Sequence, residues 1–179
     1  MLLHGAGLRY LNSPKGSATD IIDSVLGNAH FTEGSSSSDS YGPLPEQWTN
    51  YEFAVGGDDT VERAVGTTTV SISLTSGPTA GNLHSGLRFS GGLTISTDYD
   101  LTIRYRYRDT IDANANSGIR INYGSWALIT MLGKSTDVWY TDTISFTASS
   151  SSFIAALRIS SGNAPKCTVD IDYISVVEA

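Results

Sequence analysis

The chain predicts an all-β protein, a two-sheet antiparallel β-sandwich preceded by a short N-terminal arm. Three observations carry this expectation. From Gln47 onward, apolar and polar residues alternate with a period of two, the repeat of a strand with one buried face. Turn formers interrupt that alternation roughly every eight to twelve positions, as between the short strands of a sandwich; they include Gly77-Pro78, Gly91-Gly92, Asn114 to Gly118, Gly133 and Gly162-Asn163. Helical periodicity is almost absent.

A length of 179 residues with 40% hydrophobic content fits one domain with a core of its own. Cys167 is the only cysteine, so neither an internal disulfide nor a thiolate metal cluster is available, and the fold must rest on packing. The excess of 18 acidic over 11 basic residues gives a net charge of -7, which argues against nucleic acid or an anionic membrane as partner. No segment approaches the ~18 apolar residues of a bilayer span. The opening Met1-Leu2-Leu3-His4-Gly5 lacks the basic start and apolar run of an export signal, and no Asn-x-Ser/Thr acceptor occurs.

Residues 1–26 read as an arm. Ser17 is the expected cap of a short helix through Leu26, and Leu2, Leu3, Leu8, Tyr10 and Leu11 supply apolar surface for a neighbouring subunit or for the arm's own sandwich. The sandwich is expected over 27–179. Its stretch Glu33-Gly34-Ser35-Ser36-Ser37-Ser38-Asp39-Ser40 has nothing apolar to bury and predicts a mobile loop, ended by the turn residues Tyr41 to Pro45. Strands follow at Thr69 to Thr75, Leu83 to Ser90, Leu101 to Arg108, Gly118 to Tyr123, Val138 to Thr147, Phe153 to Ser160 and Thr168 to Val177. In the clearest of them, Leu101, Ile103, Tyr105 and Tyr107 share one face, and Thr102, Arg104, Arg106 and Arg108 the other. Roughly nine strands of this kind suit two packed antiparallel sheets.

The order of landmarks adds a resemblance. Gly27-Asn28-Ala29-His30-Phe31-Thr32-Glu33 opens the domain and Trp48 follows a loop. Late in the chain, Val138-Trp139-Tyr140 leads into Phe146-Thr147, and Val169-Asp170-Ile171-Asp172-Tyr173-Ile174-Ser175-Val176 closes it. This pattern resembles the jelly-roll carbohydrate-binding modules of the family 4, 9 and 22 type, over residues 27–179. The resemblance implies a jelly roll and a sheet face that binds glycans by stacking sugar rings on aromatic side chains. It also implies a structural calcium near the chain ends, for which Glu33 and Asp172 match ligand positions. His30 and Tyr173 stand where the family has acidic residues, which thins the oxygen set that calcium needs.

Alternation places Arg104, Arg106, Arg108, Arg120, Arg158, Asp170 and Asp172, with Asn122, on the outward face of one sheet, and Trp126, Trp139 and Tyr123 are the candidate stacking platforms. Such a face serves either as a cross-strand Arg and Asp ladder or as a contact surface for glycan or protein. The eight Arg against three Lys favour planar, bidentate contacts. The Asp109 to Gly118 segment alternates oxygen donors but lacks the glycine and the final glutamate of a calcium loop, so it reads as a hairpin loop. Catalysis finds no footing. His4, His30 and His84 are scattered, and no nucleophile elbow, phosphate loop or dinucleotide fingerprint is present.

The expectation for function is therefore a non-catalytic surface-presenting protein: a virion surface component such as a phage capsid decoration or tail protein, homo-oligomeric, for instance trimeric. The alternative is a carbohydrate-binding module for a polysaccharide or surface glycan. Location follows the choice, on the virion surface or outside the cell.

Overall fold

A computed structural model describes residues 31, 35–39, 42–45, 48–53, 59–77, 82–160 and 166–179. The expected arm of residues 1–26, including the helix expected after Ser17, and Glu33 lie outside the described residues.

Among the described residues twelve strands follow one another: β1 (Ser35–Asp39), β2 (Gly42–Pro45), β3 (Thr49–Phe53), β4 (Thr60–Val65), β5 (Val70–Thr75), β6 (Leu83–Phe89), β7 (Asp98–Tyr107), β8 (Gly118–Asn122), β9 (Trp126–Thr130), β10 (Tyr140–Thr147), β11 (Phe153–Ile159) and β12 (Cys167–Glu178). Two five-stranded antiparallel sheets result. Sheet I has the order β10-β7-β12-β5-β4 and sheet II the order β3-β6-β11-β8-β9. The all-β jelly-roll sandwich expected from the sequence is the fold observed.

Within the two sheets, hairpins join only β4 to β5 and β8 to β9; every other connection between successive described sheet strands crosses from one sheet to the other. The Asp109 to Gly118 segment is such a crossing, from β7 in sheet I to β8 in sheet II, and not the expected hairpin loop. Its Asp112 and Asn114 side-chain oxygens accept from within the segment. The buried Asp112 carboxylate accepts from the Asn114 amide (3.1 Å) and from the Ser117 hydroxyl, and Asn114 Oδ1 accepts from the Asn116 amide (2.9 Å).

The Ser-rich stretch also departs from expectation. Ser35–Asp39 pairs antiparallel with Gly42–Pro45 as a separate two-stranded unit. The pairing satisfies backbone donors and acceptors of both segments, and Leu44, 6% exposed, ties the unit to the core.

Strand alternation builds that core. On β7, Tyr99, Leu101, Ile103, Tyr105 and Tyr107 point inward, opposite β12 residues Val169, Ile171, Ile174 and Val176 across the ladder. Trp48 sits among Phe31, Phe89 and Phe153, with ring centroids 5.4, 5.9 and 6.0 Å away. Aromatic contacts at such distances contribute beyond simple area burial. Cys167 is fully buried and burial pushes its thiol up to about 11, so it is an unreactive packing residue.

The edge strands β3 and β4 are latched by polar groups. Arg63 points inward from β4, donates to Asn50 Oδ1 and ion-pairs with Glu52 Oε1 at 3.6 Å; Asn50 and Glu52 both lie on β3. A buried guanidinium costs several kcal/mol unless paired, so this contact fixes how the two sheets meet at one end.

Candidate functional site

The sandwich has two outward faces, and their residue registers follow from strand pairing. On sheet I, the odd-numbered residues of β7 are inward, which leaves Thr102, Arg104 and Arg106 outward, with Arg108 just past the strand end. Asp170 faces Arg106 across the ladder, and a bulge between Ile171 and Tyr173 turns Asp172 toward Arg104. The face is closed on itself. Arg104 pairs with Asp172, Arg106 Nε reaches Asp170 Oδ2 at 2.9 Å, and Arg108 Nη1 reaches the same oxygen at 3.1 Å while its Nε meets Asp137 at 3.2 Å. Ser71 donates to the other Asp170 oxygen. The guanidinium carbons of Arg104 and Arg106 each lie 4.7 Å from the Trp139 ring centroid. A shallow polar depression of about 370 Å³ lies beside them, lined by Ser71, Ser73, Arg106, Arg108, Lys166 and Asp170 among others.

Sheet II presents three outward rows of five. One row reads Thr49, Arg88, Ile154, Asn122, Trp126; the next reads Tyr51, Gly86, Ala156, Arg120, Leu128; the third reads Phe53, His84, Arg158, Gly118, Thr130. The middle of the grid is low because Gly86 and Ala156 stand side by side. At Gly86 no other residue fits, since a Cβ there would come within 2.1 Å of the Ala155 carbonyl oxygen. Over this low centre the rings lean in from both edges. Tyr51 on β3 and Trp126 on β9 lie on opposite edge strands, which a flat sheet would separate by roughly 19 Å of backbone, yet their ring centroids are 6.4 Å apart.

Cations and rings alternate across this face. The Arg120 guanidinium lies 3.7 Å from the Trp126 ring centroid, Arg88 lies 5.8 Å from that of Tyr51, and the His84 ring is 5.4 Å from Phe53 and 6.1 Å from Trp126. Phe53 at 55% and Trp126 at 37% exposure keep apolar ring surface open to solvent. No carboxylate occupies any of the fifteen positions.

His84 is 1% exposed, and burial first, then the charges of Arg120 and Arg158, lower its pKa to about 4. It is therefore neutral at neutral pH. Arg120 Nη1 approaches His84 Nε2 at 3.5 Å. A guanidinium only donates, so Nε2 faces a donor, and Nδ1 is buried with no partner among the described residues. Arg120 is itself held below its ordinary value, by burial first and by Arg158 second. Arg158 donates to Asn82 Oδ1 and has no carboxylate partner among the described residues.

The residues expected together on one face are thus divided. Arg104, Arg106, Arg108, Asp170 and Asp172 lie on the outer face of sheet I, and Arg120, Asn122, Trp126 and Arg158 on the outer face of sheet II, on the other side of the core. Each set alternates as expected, but the strands belong to different sheets. Tyr123 joins neither set. Its ring stacks on Phe146 at 4.4 Å against the core, so it is no open platform. Asp172, matched to a calcium position by the resemblance, carries Arg104 against its carboxylate, and among the described residues no cluster of three or more His, Cys, Asp or Glu suits a metal.

Tyr51, Phe53, His84 and Arg88 belong to the sheet II face and were not singled out in the sequence. Tyr51 and Phe53 share a face two residues apart, the pattern of inward residues; only their register opposite Gly86 and His84 shows them pointing out.

No family model matches the chain, and no curated protein matches it. Among solved structures, it is similar to a carbohydrate-binding module, CBM4, at 16% identity over 85% of this chain and 99% of that one, with a TM-score of 0.53. It is also similar to BiXyn10A CBM1 in its apo form, at 11% identity over 73% of this chain and 90% of that one, with a TM-score of 0.50. At these identities the likeness is one of fold, and it agrees with the jelly-roll resemblance read from the sequence.

Proposed function

We propose that this chain is a non-catalytic glycan-binding domain whose recognition surface is the outer face of sheet II. The observation that carries this reading is the pair of solvent-open rings, Phe53 and Trp126, set among Arg88, Arg120 and Arg158 on one sheet face. A sugar ring has an apolar face that stacks on such platforms and hydroxyls that need planar, multidentate donors. Arg88, Arg120, Arg158 and Asn122 supply those donors around the rings. The fold is the one used by the solved carbohydrate-binding modules it resembles, which is support by analogy. The test is binding of the full chain to a panel of soluble polysaccharides by affinity electrophoresis. Binding that is weakened by Phe53→Ala and Trp126→Ala supports the reading, and absence of binding to every glycan sinks it.

The non-catalytic part of this reading is supported by how the ionisable groups among the described residues are spent. The two β12 carboxylates, Asp170 and Asp172, are both engaged by arginines, and His84 is a buried neutral ring. A domain of this kind works where glycans are, outside the cell or on a particle surface; among the described residues no helix is long and apolar enough to cross a membrane.

A second reading, assembly into a virion surface as a homo-oligomer, draws on apolar side chains left open in loops. Ile95 is 60%, Leu132 50% and Val138 46% exposed. Light scattering on the full chain decides it: an oligomer that Leu132→Ser and Val138→Ser dissociate supports assembly, and a monomer excludes it. The two readings are compatible, since a particle protein can also adhere to glycans.

A further inference from the structure

We propose that the sheet II face selects acidic polysaccharides, with Arg88, Arg120 and Arg158 taking carboxylates carried on the sugar rings while Phe53 and Trp126 stack on the rings themselves. This rests on the glycan reading above and adds to it the charge class of the ligand.

The argument begins with how the chain distributes charge. A protein of net charge -7 has carboxylates to spare, and on the outer face of sheet I each arginine has one: Arg104 has Asp172, Arg106 has Asp170, and Arg108 has Asp170 and Asp137. On sheet II the fifteen outward positions hold three arginines, one histidine and no acid. Arg88 contacts the Tyr51 ring, Arg120 the Trp126 ring and His84, and Arg158 the Asn82 side chain; none meets a carboxylate among the described residues.

Gathering like charges without counterions is unfavourable in the free protein. The penalty registers on neighbouring groups, since Arg158 helps lower Arg120 and both help lower His84. A bound anion would relieve that repulsion, and it is the one kind of ligand the face is electrostatically incomplete without. Guanidinium forks match carboxylates bidentately, which a neutral sugar does not require.

Spacing and charge density decide between anions. In strand geometry the Arg158 and Arg120 backbones are about 8 Å apart and those of Arg88 and Arg158 about 14 Å apart, which suits carboxylates repeated along a chain better than one small ion. Nucleic acid, with a charge every ~1.7 Å of duplex axis, would suffer the repulsion of the rest of this acidic chain. A polymer with one carboxylate per sugar suffers much less of it.

The test uses the full chain and matched pairs of probes: polygalacturonate, polyglucuronate and polymannuronate, each beside its carboxyl-reduced neutral counterpart, with duplex DNA and dextran sulfate as further arms. The expected result is binding to at least one polyuronate that weakens by about tenfold or more on carboxyl reduction, weakens as salt rises, and weakens again in Arg88→Gln. Arg88 is exposed, so that variant is expected to fold; Arg88→Lys, which keeps the charge and loses the fork, should restore binding only in part. Equal binding to acidic and reduced polymers, or binding to neutral glycans alone, overturns the charge class and leaves the glycan reading standing. Binding to no glycan overturns both. DNA or dextran sulfate bound as tightly as any polyuronate overturns carboxylate recognition in favour of a general polyanion patch.

Discussion

On the outer face of sheet I, Asp170 is shared by Arg106, Arg108 and Ser71, and Asp172 is held by Arg104. On the outer face of sheet II, Arg88, Arg120 and Arg158 meet rings, an imidazole and an amide but no acid among the described residues. The two faces use similar strands and the same cation, so the difference lies in what surrounds it. A cation ladder with its counterions in place is complete without a ligand; cations arranged over aromatic rings without counterions leave binding capacity unspent.

The contrast yields expectations that grade from large to small. Asp170→Ala should cost the most stability, about 2 kcal/mol, because it strips counterions from Arg106 and Arg108; the partial exposure of both arginines keeps this below the ~3–5 kcal/mol of a fully buried broken pair. Urea unfolding would show it, and glycan binding by the folded variant should be unchanged. Loss of binding in that variant would break the division between the faces.

His84 gives a comparable effect through pH. Its folded-state pKa, about 4, lies below the ordinary 6.5, so the unfolded chain binds more protons between those values and stability falls as pH drops through that window. The contribution lost between pH 7 and pH 5 is on the order of 2 kcal/mol. His84→Gln should flatten that part of the stability profile, while Arg104→Gln on the opposite face leaves its slope in place. A profile unaltered by His84→Gln would mean the imidazole is not held neutral by its surroundings.

Smaller still is the expected change at Trp126. Trp126→Ala removes a stacking platform and the support for the Arg120 guanidinium, and it should weaken glycan binding by about tenfold, or about 1.4 kcal/mol. Arg104→Ala, at a partly exposed pair stacked on Trp139, should cost less than about 1 kcal/mol of stability and nothing in binding.

Much of the fold was legible because the long central strands alternate: β7 places large apolar residues on every second position, and β12 does so on either side of its bulge. The edge strands were not. β3 turns Asn50 and Glu52 inward to meet Arg63 and sends Tyr51 and Phe53 out, and β4 carries Arg63 inward, so both invert or break the usual polarity. β9, Trp-Ala-Leu-Ile-Thr, shows no alternation of polarity at all. The sheet II face was half visible for the same reason. Arg120, Asn122, Trp126 and Arg158 stand out as polar or aromatic residues on alternating strands, but nothing local states that β7 and β8 part company into different sheets. That fact is a property of topology, carried by the Asp109 to Gly118 crossing and its buried Asp112 turn.

The central claim, that recognition belongs to sheet II and not to sheet I, is met most directly by one binding series on a glycan the native chain holds. Phe53→Ala and Trp126→Ala would be compared with Arg106→Ala and Trp139→Ala, each confirmed folded by its thermal transition. The account predicts that binding falls by about tenfold or more in the first pair and stays within about twofold of native in the second. Binding lost in the second pair and kept in the first would contradict it.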